Sequence, residues 1–146
     1  MATITELAHP EYDIFNSGCH WIVNPINCVG VMGGGLALDF RKKYPVMNTE
    51  YEKLCADRKI MIGHVWVYMD HIVCFPTKYH YAFPSKTQYI VSGMVDLREQ
   101  LIKHKVASVG IPKLGCGLGG LDWTLIKPIV VAALEDIPDL IVKLYV

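Results

Sequence analysis

Charge is scarce in this sequence. Only 19% of its 146 residues are Asp, Glu, Lys or Arg, and 14 acidic residues balance 14 basic ones. So balanced a chain has no overall field to draw it onto nucleic acid or an anionic membrane, and any such contact must be local. Long apolar runs are lacking too: none approaches the roughly twenty residues of a membrane-spanning helix. The opening MATITELAHPEYD carries no basic leader followed by an apolar core and a small-residue cleavage site. Together these absences give the expectation of a cytoplasmic protein that makes no use of a membrane. The five cysteines (Cys19, Cys28, Cys55, Cys74, Cys116) are odd in number and contain no CxxC pair, which excludes a disulfide framework and a paired-cysteine zinc site. Each is flanked by apolar or small residues and reads as a small buried hydrophobe. No metal or cofactor is expected. Linkers, repeats and low-complexity tracts are absent, so residues 1–146 are expected to form one domain, a monomer by default.

Apolar side chains are plentiful, at 52% of the chain. β-Branched runs at Ile4–Leu7, Trp21–Val23, Val65–Tyr68, Ile72–Phe75, Val109–Ile111 and Leu140–Tyr145 predict six strands, several too continuously apolar to have a solvated face. Helical patterns lie between them at Gly35–Lys43, Val46–Asp57, Ser85–His104 and Asp122–Leu134. In the third, Tyr89, Met94, Leu97, Leu101 and Ile102 fall near one stripe, with charged and polar residues on the remainder. Strands alternating with helices predict an α/β fold: three layers, α/β/α, around a mixed, largely parallel central sheet of about six strands. Such folds bind ligands outside the carboxyl ends of their strands.

Two glycine loops stand at that kind of position. Asn24-Pro25-Ile26-Asn27-Cys28-Val29-Gly30-Val31-Met32-Gly33-Gly34-Gly35-Leu36-Ala37 follows a strand and runs into a helix. Its glycines let backbone N–H groups approach a ligand closely, and the helix N-terminus favours a negative group. The spacing is neither the GxGxxG of a dinucleotide fold nor the GxxxxGK[ST] of a P-loop. Gly115-Cys116-Gly117-Leu118-Gly119-Gly120-Leu121-Asp122-Trp123 again links a strand to a helix. Each loop alone is a tight turn; together they predict a diphosphate site approached from two sides.

Polar residues at strand ends supply the chemistry. Asn24 and Asn27 either cap the turn or bond a ribose hydroxyl. Asp13 reads on its own as a solvated loop carboxylate. The stretch Phe75-Pro76-Thr77-Lys78-Tyr79-His80-Tyr81-Ala82-Phe83-Pro84-Ser85 places a lysine and a histidine two apart, on one side of the chain if the backbone is extended. With Thr77 and Ser85 these two form either a cationic wall over a sugar or anion, or a surface lysine beside an aromatic loop. Ser85 also suits the N-cap of the following helix.

These motifs, in this order, resemble the macrodomain superfamily, and the resemblance covers nearly the whole chain. They are Asp13-Ile14-Phe15, Val23–Asn27, Gly30–Leu38, Phe75–His80, Ile111-Pro112 and Gly115–Trp123. Within it they look closest to the branch of terminal ADP-ribose protein glycohydrolase and the DarG-type antitoxin, which removes ADP-ribose from DNA thymidine. The resemblance implies that Asp13 accepts a hydrogen bond from an adenine amino group while Ile14 packs on the ring. It implies that Asn27 binds the distal ribose, and that Gly33, Gly34, Gly35 and Leu36 with Gly115, Cys116, Gly117, Leu118 and Gly119 wrap the pyrophosphate and that ribose. Lys78 matches the lysine assigned a catalytic role, and Asn27 and His80 would position water or the leaving group. The protein-deglutamylating relative has an aspartate where this chain has Gly119, and the nearest carboxylate here is Asp122. The DarG-type loop also lacks it, but commonly reads His-Trp-Arg where this chain has His80-Tyr81-Ala82, so one arginine suited to DNA phosphate is missing. Three activities follow as expectations. The first is hydrolysis of an ADP-ribosyl conjugate of DNA thymidine, hence single-stranded DNA as a substrate, or of protein glutamate. The others are a phosphatase on ADP-ribose 1''-phosphate and a non-catalytic ADP-ribose reader.

Overall fold

The computed structural model describes residues 1–8 and 11–146. Six strands, β1 (Thr3–Leu7), β2 (Trp21–Asn27), β3 (Trp66–Tyr68), β4 (Ile72–Lys78), β5 (Ser108–Pro112) and β6 (Ile141–Tyr145), make one sheet in the order β1-β6-β5-β2-β4-β3. All neighbours are parallel except the β3–β4 edge pair, which is antiparallel. Four α-helices cover the sheet: α1 (Gly35–Lys43), α2 (Pro45–Ala56), α3 (Thr87–Lys103) and α4 (Trp123–Leu134). The expected three-layer α/β/α architecture is the one observed.

Strand alternation divides the core. Trp21, Val23, Val73 and Phe75 face the α3 and α4 layer with Ile90, Met94, Leu97, Leu101, Ile126 and Val130. Ile22, Ile26, Ile72 and Cys74 face the other layer, with Phe40, Met47 and Tyr51. Tertiary contact is close enough that a Cβ at Gly93 of α3 would lie 2.3 Å from Cζ of Phe75. Among the described residues no helix is long and apolar enough to cross a membrane. All five cysteines are free thiols. Desolvation pushes the Cys28 thiol up to about 11 and that of fully buried Cys74 up to about 12, so both are inert at neutral pH.

The expected strands were too short at two places. Asn24–Asn27 continues β2 and Pro76–Lys78 continues β4, although both segments were expected to be loop. Main-chain pairing between these two strands carries them past residues that ordinarily break a sheet, with one irregularity after Ile26 that brings Lys78, not Thr77, opposite Asn27.

Towards β5, Pro25 has the opposite effect, together with Pro112. The β2–β5 ladder holds only Trp21↔Val109 and Ile22↔Gly110. Ile22 N–H donates to His71 on the β4 side and Ile141 N–H to Ala107 on the β6 side. By alternation, residues 21, 23 and 25 of β2 therefore face residues 108, 110 and 112 of β5. The rungs needed to extend the ladder would be donated by Pro112 and Pro25, and neither has an N–H. The sheet splits there, between the strand whose connections lead one way and the strand whose connections lead the other, which is where doubly wound folds bind ligands.

Candidate active site

A cleft of about 220 Å³ opens at the split. Its walls are the carboxyl ends of β2 (Pro25, Ile26, Asn27), β4 (Thr77, Lys78) and β5 (Pro112, Lys113), the start of α1, and the second glycine loop. A wider groove of about 870 Å³ continues from it, sharing Gly35, Leu36, Pro112, Lys113 and Gly117 and reaching Asp13, Ile14 and Phe15 at its far end. A narrow cleft rimmed by backbone N–H groups and leading into a broad groove suits an elongated ligand with a charged middle.

The first glycine loop offers donors. Gly34 is the N-cap of α1 and has no side chain to cap it, so the first N–H groups of the helix face the cleft through Gly35, Leu36 and Ala37. Gly35 sits at φ +55°, the left-handed region that glycine takes without strain. The second loop meets the first from across the cleft: a Cβ on Gly34 would lie 3.1 Å from Cδ1 of Leu118. Among the described residues no backbone carbonyl accepts from the N–H groups of Gly117, Leu118 or Gly119. The two loops expected to converge on one diphosphate thus face a common space, and no Asp or Glu lines the narrow cleft.

Lys78 lines this cleft from the end of β4, and its Nζ donates to the carbonyl of Tyr81 at 3.4 Å. Beside it Thr77 is buried, its hydroxyl 3.5 Å from the Ile26 carbonyl. Asn27 is only 7% exposed and mostly committed. Its Oδ1 accepts from the N–H groups of Val29 (3.1 Å) and Val31 (3.3 Å), and its Nδ2 donates to the Val31 carbonyl at 2.6 Å. The Tyr51 hydroxyl, held protonated by burial, reaches both the Asn27 carbonyl (2.7 Å) and Oδ1 (2.8 Å). Of the two Asn27 readings the turn-capping one is therefore realised, and one Nδ2 hydrogen remains for a ligand. At the far end of the groove Asp13 Oδ1 accepts from Phe15 N–H at 2.9 Å, which fixes the short turn presenting Ile14 and Phe15.

Four expected site residues lie elsewhere. Asn24 is wholly buried under the cleft, its Nδ2 against the sulfurs of Met32 (3.7 Å) and Cys74 (3.8 Å), because it points into the α1 and α2 layer from mid-strand. Cys116 turns inward, donating to the Leu114 carbonyl at 3.3 Å and packing on the core beside α4. Gly33 is exposed but lines neither the cleft nor the groove. His80 does not face the Lys78 side, since the strand ends at Lys78 and the chain turns. Its Nδ1 accepts from Ala82 N–H at 3.0 Å, and its ring lies 4.2 Å from that of Tyr81 and 5.1 Å from that of Phe83.

Two further residues had been assigned other roles. Ser85 is not an N-cap; α3 is capped at Lys86, and the Ser85 hydroxyl donates instead to the Thr77 carbonyl while its N–H donates to Gly119. Ser85 thereby ties the lysine-bearing strand to the second glycine loop. At Gly119 a Cβ would lie 2.4 Å from the Gly115 carbonyl oxygen and 2.7 Å from Ser85 Oγ, so this loop conformation has no room for an aspartate. Nor does Asp122 replace it: its carboxylate accepts from the N–H and hydroxyl of Thr124, which lowers its pKa, and it caps α4 outside the cleft. Among the described residues no three His, Cys, Asp or Glu side chains gather as metal ligands would.

The macro domain family model matches residues 23–130, from the β2 strand to α4. The chain belongs to the macro domain family. A Mycobacterium tuberculosis (strain ATCC 25618 / H37Rv) protein named DNA ADP-ribosyl glycohydrolase is 41% identical over 140 residues, 91% of this macro domain and 40% of that protein. The chain thus spans about two fifths of the length of such curated relatives. Among solved structures, the macrodomain of Mycobacterium tuberculosis DarG superposes with a TM-score of 0.89 at 38% identity, covering 99% of this chain and 97% of that one. Thermosipho africanus DarTG in complex with ADP-ribose superposes with a TM-score of 0.88 at 26% identity, over 99% of this chain and 42% of that one.

Proposed function

We propose that this macro domain binds ADP-ribose and hydrolyses its conjugate with a DNA base, thymidine foremost, at the anomeric carbon of the distal ribose. The observation that carries the proposal is Lys78 at the end of β4, facing a cleft without carboxylates between two sets of unpaired backbone N–H groups. A relative named for DNA ADP-ribosyl glycohydrolysis and a solved DarTG complex with ADP-ribose support it.

In this reading the adenosine lies in the wide groove, with Asp13 Oδ2 as acceptor for the adenine amino group and Ile14 and Phe15 against the ring. The diphosphate lies between the N-terminus of α1 and Gly117–Gly119. The distal ribose reaches Asn27 and Lys78. Water adds its oxygen to the anomeric carbon, the bond to the base breaks, and the base leaves with the electron pair and takes up a proton. Lys78 acts either as an amine attacking that carbon or as an ammonium stabilising the departing base. In either role the Tyr81 carbonyl anchors Nζ at the cleft wall. The proposal takes the protein as a cytoplasmic monomer and requires no cofactor.

The test is product analysis of wild type and Lys78→Ala on ADP-ribosylated single-stranded DNA, ADP-ribosyl-glutamate peptide and ADP-ribose 1''-phosphate. Release from DNA is expected from wild type, with a loss of roughly 10²–10³ in Lys78→Ala, the scale of removing one electrostatic stabiliser. Release from the peptide or the phosphate alone would reassign the acceptor. Binding of ADP-ribose with no release from any substrate would make the protein a reader. A lysine adduct trapped by borohydride would establish attack by Lys78.

A further inference from the structure

The mouth of the cleft carries an aromatic feature that ADP-ribose itself leaves unused. Tyr81 and Phe83 are large apolar side chains more than half exposed, at 55% and 59%, and His80, just before them in the chain, packs its ring against both. The turn is held by its own main chain: Phe83 N–H donates to the His80 carbonyl at 3.1 Å and Ala82 N–H to His80 Nδ1 at 3.0 Å. Three rings are thus fixed in contact at the surface of a neutral protein, where isolated exposed aromatics would otherwise be free to fold down.

This feature lies on the leaving-group side. Tyr81 lines the cleft, and its carbonyl accepts from Lys78 Nζ. On the reading above, a group leaving beside Lys78 would emerge next to Tyr81, the member of the cluster that lines the cleft. The surrounding charge is of one sign: no Asp or Glu occurs from His71 to Val95, while Lys78 and Lys86 do, and Lys113 stands on the opposite wall of the cleft. Rings for stacking, flanked by cations and free of carboxylates, are what single-stranded nucleic acid binds without reading sequence. An acidic peptide would use the cations and leave the rings idle.

We propose that the Tyr81–His80–Phe83 cluster is an acceptor subsite, on which nucleobases next to the ADP-ribosylated base of single-stranded DNA stack. The subsite rests on the hydrolase reading above and deepens it by naming what the acceptor side recognises. It supplies locally the nucleic-acid affinity that the zero net charge of the whole chain denies. His80 then contributes by holding the neighbouring rings, not by touching the reacting atoms.

Phe83→Ala and Tyr79→Ala are the informative pair. Phe83 lies outside the cleft and groove linings, whereas Tyr79, equally exposed, lines a separate groove with Cys28, Glu52 and Cys55. Both would be measured for equilibrium binding, in a Lys78→Ala background that keeps substrate intact, to ADP-ribose, to an ADP-ribosylated single-stranded oligonucleotide, and to an ADP-ribosylated peptide. Phe83→Ala is expected to weaken the oligonucleotide roughly tenfold while leaving ADP-ribose and peptide unchanged, the scale of losing one base–aromatic stack. Phe83→Trp restores it and Tyr79→Ala changes nothing. An equal loss for all three ligands, an unchanged oligonucleotide affinity, or a loss shared by the peptide would each overturn the subsite. Because the readout is binding, it stays decisive if the protein proves to be a reader: failure of hydrolysis and failure of the subsite are separate results.

Discussion

The two glycine loops look alike in sequence and differ in physics. In the first, glycine serves the main chain: Gly35 takes a left-handed φ with open space around it, and Gly34 leaves the start of α1 uncapped. In the second, Gly115 and Gly120 also take a left-handed φ, at +73° and +79°, but Gly119 serves packing. Gly119 lies so close to the Gly115 carbonyl and Ser85 that any side chain would displace them. Gly117 of the same loop meets nothing within 4 Å and faces both the cleft and the groove. A run of glycines therefore marks three different demands: a backbone angle, a contact, and a surface left bare for a ligand.

Substitutions separate these demands. The largest effect is expected at Gly119→Ala, where the added methyl must push against backbone; stability falls by about 1–3 kcal/mol, read as a lowered urea midpoint, and ADP-ribose binding weakens with it. Unchanged binding would mean that the loop can rearrange without cost. Gly117→Ala sharpens the contrast. Its unfolding free energy stays within about 0.5 kcal/mol of wild type, whereas ADP-ribose affinity falls about tenfold, equivalent to ~1.4 kcal/mol. Equal losses in stability and binding would erase the distinction between the two glycines. The smallest effect concerns Asp122, the cap that follows the second loop. Hydrogen bonds from Thr124 lower its pKa from the ordinary 3.8, so its contribution is present above that pH and is lost as pH falls through the lower folded value. Asp122→Asn keeps the cap and removes the charge. It is expected to lower the neutral-pH stability slightly and to flatten the decline below pH 3.8; an unchanged neutral-pH stability would mean that the cap, not the charge, holds the helix.

Much of this was legible in the sequence, for reasons that vary by element. All six strands and four helices follow from apolar runs and hydrophobic period, most plainly in β2, β4 and β5, which are buried on both sides, and in the helices, which are buried on one. The ends of β2 and β4 were not legible. Asn24-Pro25 and Pro76-Thr77 carry residues that break isolated strands, and only the pairing of these two strands with each other keeps them extended. The two-residue spacing of Lys78 and His80 misled for the converse reason: it assumed extended backbone beyond Lys78, where the strand stops. Asn24 was misplaced because its strand continues, which turns it into the core. The tie between Ser85 and Gly119 had no local signal, since it joins the turn after β4 to the second glycine loop, far along the chain.

The two prolines that end the β2–β5 ladder bear on how fast the site can fill. A gap kept open by missing donors needs no strand to be prised from its neighbour before a guest enters, and none has to re-pair before it leaves. At the split, therefore, no ladder rung has to be broken to admit a guest, and that part of the cost of shaping the site is met during folding. Arrival at such a site is governed by encounter and orientation, not by waiting for a door.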